Sequence, residues 1–313
     1  MAILEVRKCG KVGKDLKVLP YIFVLFGAIL WGTTGTAQTF LPDSAHPFII
    51  SAGRSASGGF SLLLIMVLLK KIKFLSWPWK QTLYAAVCIS LFQLLFFSSV
   101  RLTGVAIASV VAIGSAPVFS GLIEWIFLKM RPTRIWGGST ALAIIGCMFL
   151  FVTKGEVSIN PLGVLYSLVA GLIFALYTMT SKLLLQKEDA ISVVAVTFSL
   201  SALLLTPFYF IFDVSWLRDA GNVGIIFYLG IATTSIAYVL YGFGLRKIPA
   251  SSALTLSLAE PTTAALLGVV VVGEVLSTTS WLGIGLLLGS IAILTFGSNS
   301  ASSQTEKEGK VSV

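Results

Sequence analysis

The chain of 313 residues is 56% hydrophobic and only 11% charged, which excludes an ordinary soluble domain. Its net charge of +9 does not indicate a nucleic-acid partner, because the basic residues lie in short segments between apolar runs. One histidine, His46, and three dispersed cysteines disfavour a zinc site, a histidine-based triad or a disulfide framework. We therefore predict a membrane protein without a metal ion or cofactor.

Ten apolar runs of membrane-spanning length follow a basic N-terminal arm, residues 1–19. The predicted helices cover residues 20–41, 46–69, 81–100, 105–128, 135–153, 161–181, 191–212, 223–245, 250–272 and 279–297. Pro20, Pro47, Pro161 and Pro249 are placed at helix starts, where the missing N–H of proline costs nothing. The sequence therefore predicts an all-α integral membrane protein with ten transmembrane helices.

Each end of the chain carries a further expectation. The small-residue pattern Gly35-Thr36-Ala37 is compatible with a cleaved signal peptide, but the length of the first run and the nine runs that follow favour an uncleaved helix. The Ser-, Lys- and Glu-rich tail, residues 298–313, is predicted to be disordered.

Basic residues are divided unequally between the two sides of the predicted bundle. Eighteen of the 22 lysines and arginines lie in the arm, in the tail and in the loops on that same side. The other side holds only Arg101, Lys154 and Arg218. Because cytoplasmic loops are enriched in lysine and arginine, we predict a cell-membrane protein with both termini in the cytoplasm.

Three landmark residues recur at the same places relative to the predicted helices. Arg101, Pro117 and Trp136 recur 144 or 145 residues later as Arg246, Pro261 and Trp281. Each repeat contains five helices, an odd number, so the two halves must have opposite orientations. We predict an inverted repeat of residues 20–153 and 161–297, joined by an external connection at 154–160.

Glu260 is the most informative polar residue. It lies near the middle of the run 250–272, roughly 15 Å along a helix from either end. A charge at that depth costs at least about 2.5 kcal/mol and normally faces a bundle interior or a cavity. Pro261 opens the local helix. We predict that Glu260 binds substrate and carries the coupled proton; the alternative is a protonated acid bonded to a neighbouring helix.

Further candidates for substrate binding lie on five other predicted helices. They are Trp31, Thr34 and Gln38 on the first, Arg54 on the second, Gln93 on the third, Tyr177 on the sixth, and Thr234 and Tyr238 on the eighth. Hydroxyl-tipped aromatic rings suit an amphipathic solute, but they also suit helix packing.

The role of the Arg54 guanidinium has two readings, because it can bind a substrate carboxylate or lock helices together. Glu124, near the cytoplasmic end of the fourth helix, is predicted to form an interfacial ion pair with Lys129.

Several short motifs resemble those of the EamA-type transporters of the drug/metabolite transporter superfamily. They are Trp31-Gly32, Arg54 with its apolar run, Ala116-Pro117-Val118-Phe119, Glu260-Pro261, Gly273-Glu274 and Trp281-Leu282-Gly283. The resemblance implies a ten-helix carrier that is proton-coupled or exchanging, and often an exporter of amino acids or other metabolites. Lys129-Met130 departs from the Gly-Glu that the family often shows, so the corresponding helix ends of the two repeats differ chemically.

We predict a secondary transporter that exports a small amphipathic metabolite and works as a monomer or homodimer. The absence of a P-loop motif disfavours direct use of ATP. The alternatives are an integral-membrane enzyme and a channel or structural membrane protein. One histidine without an acidic cluster disfavours the enzyme, and the lack of a filter-like loop disfavours the channel. The expected partners are the solute, the lipid bilayer and protons.

Overall fold

The computed structural model describes residues 2–68, 76–150, 160–273 and 275–311, and these ranges form helices and no strand. Within them, nine spans are long and apolar enough to cross a membrane, and a shorter apolar helix completes ten. We number the spans as α1 Ala2–Gln38, α2 Pro47–Leu68, α3 Trp79–Gly104, α4 Ile107–Leu128, α5 Arg134–Leu150, α6 Pro161–Leu185, α7 Ala190–Leu205, α8 Ala220–Leu245, α9 Ala250–Val271 and α10 Thr278–Val311. The predicted all-helical membrane fold is confirmed.

Local sequence explains most helix starts. Pro47 and Pro161 are the first residues of α2 and α6, and Pro249 is the residue before α9. The Asn160 side chain accepts hydrogen bonds from the backbone N–H groups of the first turn of α6, and Asp189 does the same for α7. Both side chains satisfy donors that a helix leaves unpaired at its start.

Three expected boundaries differ in the structure. Pro20 lies inside α1, which begins at Ala2, because the lysines, leucines and valines of the arm can continue a helix on the N-terminal side of a proline. The last helix continues to Val311 instead of ending before the polar tail. The expected loop between α3 and α4 is reduced to a kink at Gly104, whose φ of 80° favours glycine. The expected connection 154–160 lies outside the described residues except at Asn160.

The packing of the helices follows one plan in both halves of the chain. Helix α1 packs against α8 and α9, and α6, five spans later, packs against α3 and α4. Helices α2 and α7 pack against each other, as do α5 and α10. The contact of α2 with α7 is so close that a Cβ atom on Gly59 would lie 2.4 Å from the backbone nitrogen of Ser199. The two repeats therefore interlock, and each contributes helices to one shared centre.

Two helices of the second half depart from regular geometry near that centre. In α8, residues Ile231–Ile236 form a π-helical turn. Helix α9 is interrupted between Leu256 and Ala259, because Pro261 has no N–H to donate to the carbonyl of Ser257. That carbonyl accepts instead from the backbone N–H of Glu260 at 2.9 Å. The break therefore places Glu260 at the start of the second half of α9.

Candidate functional site

A buried aromatic cluster surrounds Trp31 of α1. The Trp31 ring lies 4.6 Å from the Tyr238 ring, 5.0 Å from the Tyr241 ring and 6.2 Å from the Phe174 ring, measured between centroids. Tyr177 approaches Tyr238 edge-on at 6.0 Å. The Trp31 side chain is 4% exposed, and its Nε1–H has no hydrogen-bond partner among the described residues. The centre of the bundle is therefore a platform of rings that includes an unpaired donor, the Trp31 Nε1–H.

Arg54 is anchored to the π-helical turn of α8. Its Nε donates to the Thr234 hydroxyl at 3.1 Å, and its Nη2 donates to the Thr233 carbonyl at 3.4 Å. A π-turn shifts the backbone hydrogen-bond pattern and frees carbonyl groups for other donors. Arg54 also lies within electrostatic range of Tyr238 and Glu260. The turn thus holds the one arginine of α2 beside the aromatic cluster.

Glu260 reaches the same region from the break in α9. Its side chain is half-buried and accepts no hydrogen bond from any protein group in the described ranges. The backbone of α1 runs close by, because a Cβ atom on Gly32 would lie 2.6 Å from the Glu260 carbonyl oxygen. A carboxylate without protein donors, near an arginine, is available to a proton or to a polar group of a solute.

The structure brings together six of the nine predicted site residues. These are Trp31, Arg54, Tyr177, Thr234, Tyr238 and Glu260. Gln93 is buried, and its amide donates to the carbonyl of Ile89 one turn earlier in α3. Thr34 and Gln38 are half-buried toward the far end of α1, with no recorded contact to the other six within the described ranges.

Three aromatic residues of the cluster are absent from the predicted site. Phe174 and Tyr241 contact Trp31, and the Phe198 ring lies 4.6 Å from the ring of Tyr238. Phe198 follows Arg54 by 144 residues, the spacing of the repeat. That spacing is the sequence signal that marks Phe198 as the counterpart of Arg54 in the second repeat.

The two ends of the bundle differ in accessibility. Where α1 ends and α8 begins, a groove of about 460 Å³ is lined by Thr33, Thr36, Phe40, Tyr228 and Leu267, among others. The Tyr228 hydroxyl donates to Thr33 across this groove at 2.8 Å. None of the clustered site residues lines this groove, which lies between α1, α8 and α9 at that end of the bundle.

The opposite end, where α9 begins, is closed. Glu124 of α4 is 5% exposed, and its carboxylate accepts hydrogen bonds from the backbone N–H of Ala250 at 2.7 Å and from the Ser251 hydroxyl. Lys129 is exposed at the end of α4. The predicted interfacial ion pair with Lys129 is therefore wrong, because the first turn of α9 supplies donors that Glu124 can reach within the protein.

A helical membrane bundle with a polar centre, a groove at one end and a sealed opposite end has the architecture of a membrane transport protein. Comparison with known families identifies the family of transport proteins. The model of the EamA-like transporter family matches residues 18–152 and 161–296, and the chain belongs to this family.

Individual relatives agree with this assignment. The uncharacterized transporter YwfM of Bacillus subtilis is 43% identical over 274 residues, which cover 88% of this chain and 93% of YwfM. The threonine/homoserine exporter RhtA of Escherichia coli is 25% identical over 289 residues, covering 90% of this chain and 92% of RhtA. One crystal structure at 20% identity superimposes with a TM-score of 0.78, covers 88% and 98% of the two chains, and shows the fold alone.

Proposed function

We propose that this transporter exports a small amphipathic metabolite, an amino acid or a related solute, by proton coupling or by exchange. The observation that carries the proposal is the Glu260 carboxylate, half-buried at the break of α9, without a protein donor and within electrostatic range of Arg54. The similarity to RhtA, whose name specifies threonine and homoserine, supports the choice of amino acids as the first solutes to test.

The surroundings of Glu260 match the parts of an amino acid. The guanidinium of Arg54 suits an α-carboxylate, because it is always charged and offers a planar set of donors. Glu260 suits an ammonium group or a proton. The rings of Trp31, Tyr177 and Tyr238 suit the apolar body of the solute. Thr234, which accepts from Arg54, also belongs to the proposed binding set, and Thr34, Gln38 and Gln93 complete it by sequence position.

Alternating access requires a defined orientation and two halves that move against each other. We propose a cell-membrane location with both termini in the cytoplasm, from the unequal distribution of lysine and arginine. The proposed moving halves are residues 20–153 and 161–297, linked externally by 154–160, with the arm 1–19 and tail 298–313 inside. The open groove then faces outward and the closed end faces the cytoplasm.

The decisive experiment compares wild type with Glu260→Gln in proteoliposomes, using threonine and homoserine as probes. Glutamine keeps the size of the side chain but cannot carry a proton. We expect the variant to exchange solute between the two sides but to lose accumulation driven by an imposed pH gradient. Glu188→Gln, in the α6–α7 loop, is the matched control and should retain both activities.

Each other outcome has a definite meaning. Loss of solute binding as well as accumulation would assign Glu260 to an ammonium group of the solute. Gradient-driven transport that survives Glu260→Gln would refute the proposed role of Glu260 in coupling. Flux that does not saturate with solute concentration would favour a channel, and chemical conversion of the solute would favour a membrane enzyme.

A further inference from the structure

The closed end of the bundle is held by hydrogen bonds between the two halves. Glu124 belongs to α4 of the first half, whereas its donors, Ala250 and Ser251, belong to α9 of the second half. Within the second half, the side chain of Lys182, near the end of α6, donates to the carbonyl of Ile248 just before α9. Lys182 also lies within electrostatic range of Glu124. The start of α9 is therefore held by a carboxylate and an ammonium group together.

The two ends of α9 also differ in burial. All residues from Ala250 to Ala259 are buried, whereas Val270 near the other end is 81% exposed. The Thr255 hydroxyl in the sealed half also contacts that of Thr140 on α5 at 2.9 Å. Among the described residues, a charged side chain of another helix bonds to α9 only at the end that begins with Ala250.

The repeat offers no matching carboxylate for the open end. The residue that follows Glu124 by 144 positions is Gly268, in the π-helical turn of α9. A hydrogen bond to a charged group is worth more than a neutral one, and a buried carboxylate that loses its donors pays a desolvation cost. One end of the bundle therefore has a charged lock, whereas the equivalent position at the other end has no side chain.

We propose that Glu124 is the latch of the closed end and sets the resting conformation of the transporter. In this conformation the Glu124 carboxylate caps α9 and the groove at the opposite end is open. Opening the closed end requires α4 to separate from the first turn of α9, so that the bonds to Ala250 and Ser251 break. Weakening the latch shifts the population toward the state that is open at this end. The proposal concerns conformation and does not depend on the identity of the solute or the coupling ion.

The test measures accessibility at both ends with a membrane-impermeant maleimide. The three natural cysteines, Cys9, Cys88 and Cys147, are replaced by alanine. A single cysteine is then introduced either at Ser181, buried beside the closed end, or at Thr36, which lines the groove. Labelling rates are compared in right-side-out and inside-out vesicles, with and without the substitution Glu124→Gln.

We expect Glu124→Gln to raise the labelling rate at position 181 and to lower it at position 36, with the ratio of the two rates changing roughly ten-fold. Ser251→Ala removes one donor and leaves the carboxylate in place, so it should shift the ratio in the same direction by a smaller factor. This second variant carries the test if Glu124→Gln does not accumulate in the membrane.

Asp189→Asn is the matched control. Asp189 also caps a helix, since it accepts from the backbone N–H and the hydroxyl of Ser192, but all of these bonds lie within the second half. It should leave the ratio unchanged. The proposal is overturned if Glu124→Gln and Ser251→Ala leave the ratio unchanged, if both positions become more reactive together, or if Asp189→Asn produces the same shift.

Discussion

The two halves of the bundle share a packing plan but bring opposite chemistry to its centre. Helix α2 contributes Arg54, whereas the residue 144 positions later on α7 is Phe198. Helix α9 contributes Glu260, whereas the residue 144 positions earlier on α4 is Ala116, which is 1% exposed. A symmetric scaffold thus encloses an asymmetric site, with one charged residue from each half.

The asymmetry extends to the backbone. Ser90 on α3 and Ser235 on α8 are separated by 145 residues, and both bond to a neighbouring helix at 2.8 Å: Ser90 to the Ser201 hydroxyl, Ser235 to the Gly58 carbonyl. Ser235 lies in the π-helical turn, whereas α3 is helical at Ser90. The π-helical turn carries both groups that accept from Arg54, the Thr233 carbonyl and the Thr234 hydroxyl, and α3 has no such turn at Ser90.

The largest expected effect tests whether the two charges depend on each other. Arg54→Met should lower the free energy of unfolding in detergent by roughly 2–4 kcal/mol, because two charge-assisted hydrogen bonds are lost and Glu260 loses its nearby cation. Adding Glu260→Gln should recover part of that loss. The measurement is the unfolding midpoint of both single variants and the double variant.

Lys187→Met provides the control, because Lys187 is exposed and its loss should change stability by less than about 0.5 kcal/mol. Strict additivity of Arg54→Met and Glu260→Gln would show that the two residues do not interact. The charges of the two halves would then be independent features.

The fold was predictable because a lipid environment leaves few choices for the backbone. Every N–H and C=O must be satisfied within the segment, so an apolar run of sufficient length becomes a helix. The break at Pro261 was predictable for the same reason, since proline removes a donor. The π-turn Ile231–Ile236 contains neither glycine nor proline, and local composition gives no sign of it. The kink at Gly104 replaced a loop because one glycine with positive φ can redirect the chain.

Prediction of the site was limited by geometry. Counting residues along a helix estimates the depth of a side chain but not the direction in which it points, and the face depends on packing between the halves. Glu260 and Arg54 lie within electrostatic range of each other and of Tyr238, whose ring contacts Trp31, whereas the Gln93 amide turns back to its own helix. Phe198 was missed because an apolar ring at mid-span has the same signature as a lipid-facing one. Binding of the solute by the nine residues remains a prediction.

A second prediction separates solute contact from packing at the facing rings of α1 and α6. Trp31→Phe keeps most of the ring contacts and removes the free Nε1–H donor. If this donor binds the solute, the variant should be nearly as stable as wild type, and the KM should rise by roughly ten-fold, which corresponds to about one lost hydrogen bond. Phe174→Leu, on the other side of Trp31, should lower stability without changing the KM as much. A large stability loss in Trp31→Phe with an unchanged KM would assign Trp31 to packing.

The smallest expected effect compares two arginines at equivalent positions of the repeats, Arg101 and Arg246. Arg101 donates to Nε2 of His46 at 2.7 Å, and the His46 ring stacks on Phe212 with centroids 3.6 Å apart. Burial, and then the charge of Arg101, lower the pKa of His46 below its usual value. The folded state therefore favours the neutral ring, so this contribution to stability is present above pH ~6.5 and is lost as the pH falls below that value. Because the site is partly exposed, the loss should stay below about 1 kcal/mol.

We expect the unfolding midpoint to fall between pH 7.5 and 5.5 and Arg101→Gln to reduce that fall. Arg246→Gln, which removes an exposed arginine at the end of α8, should leave it unchanged. Equal effects of the two substitutions would show that the dependence on pH does not arise at His46.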